Sequence, residues 1–192
     1  MIKTGLYFGS FNPVHIGHMA IANYMVEFTD IEELWFVVSP QNPLKDKKSL
    51  LEDYHRLELT RLAVGDDERF YVSDIEFGMP KPSYTIDTLT YLKEKQPNRK
   101  FYIIMGSDGL KNFRKWKNAD ILTEQYPRLV YPRPGYSKEE ILNYKNTTLV
   151  DAPLMEISSS FIRRAIRNEK DIRYFLPEKT YKYIVDMHFY EQ

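Results

Sequence analysis

The chain has 192 residues, with 27 Lys plus Arg balanced by 27 Asp plus Glu, so its formal net charge is zero. That balance argues against a general nucleic-acid binder, which would carry a clear basic excess. Cysteine is absent, which excludes disulfides, thiolate metal sites and a cysteine nucleophile and fits a reducing cytosol. The length predicts one domain over 1–192, with 157–192 forming a small helical part, and is enough to bury about 70% of the unfolded surface. Met1 to Gly9 has no apolar run of signal-peptide type, and no stretch approaches the ~20 residues of a membrane span. A soluble, cytoplasmic protein is expected.

In chain order, short apolar runs alternate with amphipathic segments. Ile2 to Phe8 reads as a strand and Ile16 to Phe28 as a helix. Glu33 to Ser39 reads as a strand buried on both faces, because Leu34-Trp35-Phe36-Val37-Val38 is continuously apolar. A Pro/Lys-rich loop covers Pro40 to Ser49, and the apolar repeat of Leu50 to Val64 is helical. Phe70 to Ile75 is a strand, Ser83 to Lys95 a helix, and Lys100 to Met105 a strand ending at Gly106-Ser107-Asp108. Short helices are expected within Leu110 to Gln125, then a strand at Arg128 to Tyr131 that stops at Pro132-Arg133-Pro134-Gly135. A helix over Ser137 to Tyr144, a strand over Thr147 to Val150, and helices over Ser158 to Asn168 and Pro177 to Met187 complete the chain. This alternation predicts an α/β fold: a doubly wound, mainly parallel sheet with a closing helical segment. In such sheets ligands bind beyond the carboxyl ends of the strands, where strand order reverses.

The most informative stretch is Gly9-Ser10-Phe11-Asn12-Pro13-Val14-His15-Ile16-Gly17-His18. A strand runs into a turn and then into a helix carrying His15 and His18, whose spacing puts both imidazoles on one face. A helix N-terminus offers unpaired N–H groups and positive dipole, which suit an anion. Gly17 is expected to leave bare backbone against which a ligand's phosphates can lie. Together these features point to chemistry on a nucleotide.

A second constellation is Ile157-Ser158-Ser159-Ser160-Phe161-Ile162-Arg163. One serine suffices as an N-cap, so the surplus hydroxyls are candidates for a second phosphate, with Arg163 supplying a fork of charged donors. Arg164 and Arg167 are neighbours, at least one of them a solvated surface charge. Lys45, after Asn42-Pro43-Leu44, is the loop cation expected to reach the cleft, while Lys47 and Lys48 read as solvated. Trp116 would ordinarily be core, yet its place soon after Asp108 suits stacking on a base or pyridine. No P-loop, Gly-x-Gly-x-x-Gly fingerprint or Gly-x-Ser-x-Gly elbow occurs. His15 and His18 without a third nearby ligand make a poor zinc site, so no protein-held metal is expected.

These two motifs resemble those of the nucleotidyltransferases that share a His-x-Gly-His element, and most closely the bacterial nicotinate mononucleotide adenylyltransferases. Leu34-Trp35-Phe36, Asn42-Pro43-Leu44-Lys45, His55-Arg56, Pro82 to Leu89, Gly106-Ser107-Asp108, Lys115-Trp116, Arg133-Pro134-Gly135 and Tyr174-Phe175-Leu176-Pro177 follow in family order over nearly the whole chain. The resemblance implies transfer of AMP from ATP to nicotinate mononucleotide, giving deamido-NAD and pyrophosphate without a covalent intermediate. It implies Mg²⁺ bound mainly through the ATP phosphates. It also implies His15, His18, Lys45 and Arg163 as catalytic, and Gly9, Ser10, Phe11, Gly17, Gly106, Asp108, Ile157, Ser158 and Ser159 as ATP-binding. Tyr84, Thr85, Trp116 and Arg133 would bind the mononucleotide.

The sequence departs from the family pattern at Phe8, Ser10, Asn12 and Leu44, where glycine, threonine, aspartate and histidine are usual. The rivals are phosphopantetheine adenylyltransferase and nicotinamide mononucleotide adenylyltransferase. A non-catalytic nucleotide-sensing module is the alternative from another class, but a sensor needs no transition-state groups. No nucleic acid or membrane is expected as partner, and homo-oligomer formation is left open.

Overall fold

The computed structural model describes residues 1–40, 50–135, 141 and 144–191. The loop holding Lys45, Lys47, Lys48 and Leu44, and most of the helix expected over Ser137 to Tyr144, lie outside the described residues. The described strands are β1 (Ile2–Gly9), β2 (Glu33–Val38), β3 (Phe70–Ser73), β4 (Arg99–Gly106), β5 (Arg128–Tyr131) and β6 (Thr147–Leu149). The helices are α1 (Ile16–Phe28), α2 (Asp53–Val64), α3 (Thr85–Lys95), α4 (Ser107–Phe113), α5 (Ala119–Gln125), α6 (Ser159–Arg167) and α7 (Glu178–Asp186).

The strands form one six-stranded sheet in the order β3-β2-β1-β4-β5-β6, parallel throughout. Strand alternation explains why helices cover both faces. Tyr7, Phe36, Ile104 and Leu129 point to one side, where they pack with Ile21 and Met25 of α1, Leu57 and Leu59 of α2, Ile162 of α6 and Ile184 of α7. Leu6, Trp35, Val37, Ile103 and Met105 point to the other, against Ile86, Leu89 and Leu92 of α3, Phe113 of α4 and Leu122 of α5. This is the expected doubly wound α/β architecture. No helix among the described residues is long and apolar enough to cross a membrane.

Strand order reverses between β1 and β4, which pair in register from Ile2 with Arg99 to Tyr7 with Ile104. Gly9 and Gly106 therefore flank the crevice that such a reversal opens at the carboxyl end of a sheet. Where the elements differ from the sequence reading, local chemistry explains it. The strand expected to reach Ile75 stops at Ser73, and a 3-10 turn over Ile75–Gly78 follows. Ser73 Oγ accepts the Ile75 N–H at 3.4 Å, which turns the chain out of the ladder.

Arg56 braces the loops at this end. Its side chain is fully buried, and every guanidinium nitrogen is used. Nε donates to the Leu51 carbonyl at 2.9 Å, Nη1 to Ser10 and Ser39 at 2.6 and 2.8 Å, and Nη2 to Pro40 at 3.3 Å. Nη2 also meets Asp53 Oδ1 at 2.5 Å. One side chain thus joins the loop after β1, the end of β2 and the start of α2. Replacing Arg56 with Ala leaves those carbonyls without their donor, and chemical denaturation should record a loss of at least about 3 kcal/mol. A loss below about 1 kcal/mol would mean that the carbonyls find other partners.

Candidate active site

Beyond the carboxyl ends of β1, β4 and β5 lies one cavity of about 930 Å³. It is bordered by His15, Gly17 and His18 on one side, by Ser158, Ser159 and Arg163 on another, and by Tyr84, Thr85 and Trp116 across from them. Gly9, Ser10 and Phe11, with Gly106, Asp108 and Arg133, line it between these groups, and Ile157 borders it beside Ser158. Every residue given a catalytic or binding role from the sequence therefore borders one space, apart from Lys45, which lies outside the described residues.

The histidine pair is built differently from the sequence expectation. His15 does not share a helical face with His18: its extended backbone, φ −147° and ψ 170°, makes it the N-cap of α1. His18, at the third position of the helix, turns back so that its Nδ1 accepts the His15 backbone N–H at 3.2 Å. This is the return half of a capping arrangement. The two rings still meet, with centroids 3.7 Å apart and planes 31° apart. Gly17 borders the cavity, and its missing side chain also serves the neighbouring ring. A Cβ there would stand 3.0 Å from His15 Nδ1, so the missing side chain makes room for the imidazole. Phe11, with φ +41°, puts its ring in the core edge-on to His18, 5.2 Å between centroids, and supports that histidine from beneath.

The serine-arginine cluster is tied to the histidine loop directly. Ser158 caps α6, its Oγ accepting the Phe161 N–H at 3.2 Å. Ser159 Oγ donates to the Pro13 carbonyl at 2.8 Å, and Arg163 Nη1 to the Asn12 carbonyl at 2.7 Å. Ser160 Oγ accepts from Arg163 Nη2 at 3.3 Å. All three serines thus have an internal partner, while Ser158, Ser159 and Ser160 also border the cavity. Arg164 and Arg167 are exposed, as solvated charges should be.

On the opposite wall, Tyr84 is the N-cap of α3 and Thr85 its first residue. Sequence reasoning missed what fixes them. Glu76 is buried in the 3-10 turn and accepts from Ser83 Oγ and Thr88 Oγ, both at 2.8 Å. Trp116 is half-buried and leans on Phe113, with centroids 5.2 Å apart. Tyr7 and Tyr131 were also missed; their hydroxyls meet at 3.1 Å at the cavity floor. Arg133 is held by its backbone N–H to Ser107 Oγ at 2.9 Å and by Nη1 to the Met155 carbonyl at 2.7 Å. At Gly106 a Cβ would run into the Asp108 carboxylate, so glycine lets that group fold over the start of α4.

Residues 6–165 match the model of the cytidylyltransferase-like family. A relative from Cytophaga hutchinsonii, named "probable nicotinate-nucleotide adenylyltransferase", is 46% identical over 98% of both chains. One of the same name from Flavobacterium johnsoniae is 47% identical over the full length of both. The chain belongs to the nicotinate-nucleotide adenylyltransferase family. The fold agrees with two solved structures at lower identity. Plasmodium falciparum nicotinic acid mononucleotide adenylyltransferase, complexed with NaAD, superposes with a TM-score of 0.86 at 24% identity, covering 100% of this chain and 98% of that one. A Vibrio parahaemolyticus protein described as a putative nicotinate-nucleotide adenylyltransferase gives 0.75 at 18%, covering 100% and 97%.

Among the departures from the family's sequence pattern, Asn12 has the most work in the fold. It is buried, and its Oδ1 accepts the Leu51 N–H at 3.1 Å and the Tyr190 hydroxyl at 2.8 Å. Ser10 borders the cavity and gives its carbonyl to Arg56. Phe8 packs at the margin of the core on the α3 side of the sheet. Leu44 lies outside the described residues.

Burial decides the charge of His15. Desolvation first, then the nearby positive Arg133, lowers its pKa from 6.5 to about 3, so the ring is neutral in the folded protein near pH 7. Its Nδ1 has no hydrogen-bond partner among the described residues. In the unfolded chain the imidazole takes a proton as pH falls below 6.5, whereas the folded protein refuses it down to about 3. The unfolded state therefore binds more protons across that window, and stability falls as pH is lowered through it. Denaturation midpoints measured from pH 7 to 4 should fall less steeply in His15→Asn than in the native protein. Identical slopes would mean that His15 titrates normally when folded.

Proposed function

We propose that the protein transfers AMP from ATP to nicotinate mononucleotide, forming deamido-NAD and pyrophosphate. The observation that carries this is the convergence of two capped helix starts, α1 and α6, on one cavity whose far wall is Tyr84, Thr85 and Trp116. The names of relatives 46–47% identical over nearly the whole chain support the same substrates.

In this reading an oxygen of the mononucleotide phosphate attacks the ATP α-phosphorus. A new P–O bond forms as the bond from the α-phosphorus to the bridging oxygen breaks, and pyrophosphate leaves with that electron pair. No covalent help is needed, so the protein's part is positioning and electrostatic stabilisation. His15, being neutral, contributes as a ring N–H dipole, and His18 stands beside it over the same phosphate. Ser158, Ser159 and Arg163 hold the β and γ phosphates, and Lys45 assists a phosphate. Gly9, Ser10, Phe11, Gly17 and Ile157 shape the ATP side; Gly106 and Asp108 meet the adenosine. Tyr84, Thr85, Trp116 and Arg133 receive the mononucleotide, with the indole stacked on the pyridine ring.

Among the described residues no three His, Cys, Asp or Glu side chains converge as a metal cage. Mg²⁺, when bound, would be held mainly by the ATP phosphates and would supply positive charge to offset that on the leaving pyrophosphate. The cytoplasm is taken as the compartment, in keeping with a chain that has no cysteine.

Mass spectrometry of products from ATP, Mg²⁺ and a panel of acceptors tests the reaction. Deamido-NAD in excess over NAD supports the proposal. Dephospho-coenzyme A, or NAD in excess, would select one of the rivals, and no adenylated product would favour a sensing module. His18→Ala should lower turnover about 100-fold or more with ATP affinity changed far less; near-normal turnover removes His18 from the chemistry. Trp116→Ala should raise the KM for the mononucleotide more than that for ATP, and equal rises would make the indole structural.

A further inference from the structure

The segment after α7 reaches the phosphate site from the far end of the chain. Tyr190 OH donates to Asn12 Oδ1 at 2.8 Å across 178 residues of sequence. The backbone folds back to do so, with positive φ at His188 (53°) and Tyr190 (67°). Such non-glycine conformations are unfavourable and persist only where the surroundings enforce them. Phe189 supplies that enforcement: its ring packs on His55 and Tyr183, with centroids 4.8 and 5.7 Å away. Its N–H also bonds to the Ile184 carbonyl at 3.1 Å. Phe189 docks the segment on α2 and α7, and Tyr190 makes a directed bond.

The partner of that bond is where the site is stitched together. Asn12 receives Tyr190 and the Leu51 N–H on its side chain and Arg163 Nη1 on its carbonyl. Arg163 depends on this anchor, because its Nε is buried without a hydrogen-bond partner among the described residues. It is tethered by the Asn12 carbonyl at 2.7 Å and by the longer Ser160 contact at 3.3 Å. A shift of Asn12 therefore moves both the histidine loop and the guanidinium.

We propose that Tyr190 is a positioning residue for phosphoryl transfer, acting through Asn12 to hold Arg163 and the loop after β1 in their reactive arrangement. The inference rests on the adenylyltransferase reading above. Burial raises the phenol's pKa, with Arg163 and Arg56 pulling the other way, so the hydroxyl stays protonated and can donate.

The test compares the native chain with Tyr190→Phe, which keeps the ring and removes the donor, in steady-state assays with both substrates varied. Kcat should fall about 5- to 20-fold while the KM for nicotinate mononucleotide stays within about twofold, because placement of the triphosphate is lost and the pyridine wall is untouched. In an Asn12→Ala background, adding Tyr190→Phe should change kcat less than about twofold, since the shared partner is gone. A native kcat in Tyr190→Phe overturns the proposal, as does the same loss in both backgrounds. Should Asn12→Ala fail to fold, the kcat-against-KM split decides alone: equal effects on kcat and on both KM values would show a structural role. If the native chain forms no deamido-NAD, the adenylyltransferase reading itself has failed, an outcome distinct from an active native chain with an equally active Tyr190→Phe.

Discussion

Two hydrogen bonds to two consecutive carbonyls hold this site together. Arg163 takes the Asn12 carbonyl and Ser159 the Pro13 carbonyl, across 151 and 146 residues of sequence. Both donors come from the first turns of α6, and both acceptors lie in the loop that leads from β1 into α1. Because the loop is pinned to the helix, two helix N-termini face one space. Each start alone is an ordinary capped helix; facing each other they make a place for a polyphosphate.

The same end of the sheet shows how burial selects chemistry. Desolvation and the neighbouring Arg133 keep His15 neutral, and Gly17 gives its ring room within the packed loop. The ring stacks against His18, which is itself backed by Phe11. A rigid, uncharged donor such as His15 needs little reorganisation when charge shifts among phosphate oxygens, which is what a reaction governed by position requires. On the opposite wall Glu76 performs an analogous task, clamping Ser83 and Thr88 on either side of Tyr84 and Thr85.

The framework was legible wherever a segment's own pattern was unambiguous. The boundaries of α1 and β5 agree with the sequence reading residue for residue, because a largely apolar helix-length segment and an apolar run before proline each declare themselves locally. The convergence of the histidine and serine-arginine motifs followed from their places after strands of a parallel sheet. Features set by tertiary partners could not be read. His15 and His18 were read as sharing a helix face, but the extended backbone of His15 and the returning His18 make His15 the cap. At Gly17 the sequence did not show that the neighbouring imidazole also needs the space a side chain would take. Tyr190 and Glu76 carry no local signal: each acquires its role from residues that only the folded chain brings near.

The central claim is that one triphosphate touches both motifs at once. A crystal structure with a non-hydrolysable ATP analogue and Mg²⁺ measures this directly. The account predicts phosphate oxygens within about 3.5 Å of a His15 or His18 ring nitrogen and, in the same molecule, of the Ser158, Ser159 or Arg163 donors. An analogue whose phosphates reach only one of the two groups, with the other left facing solvent, would contradict it.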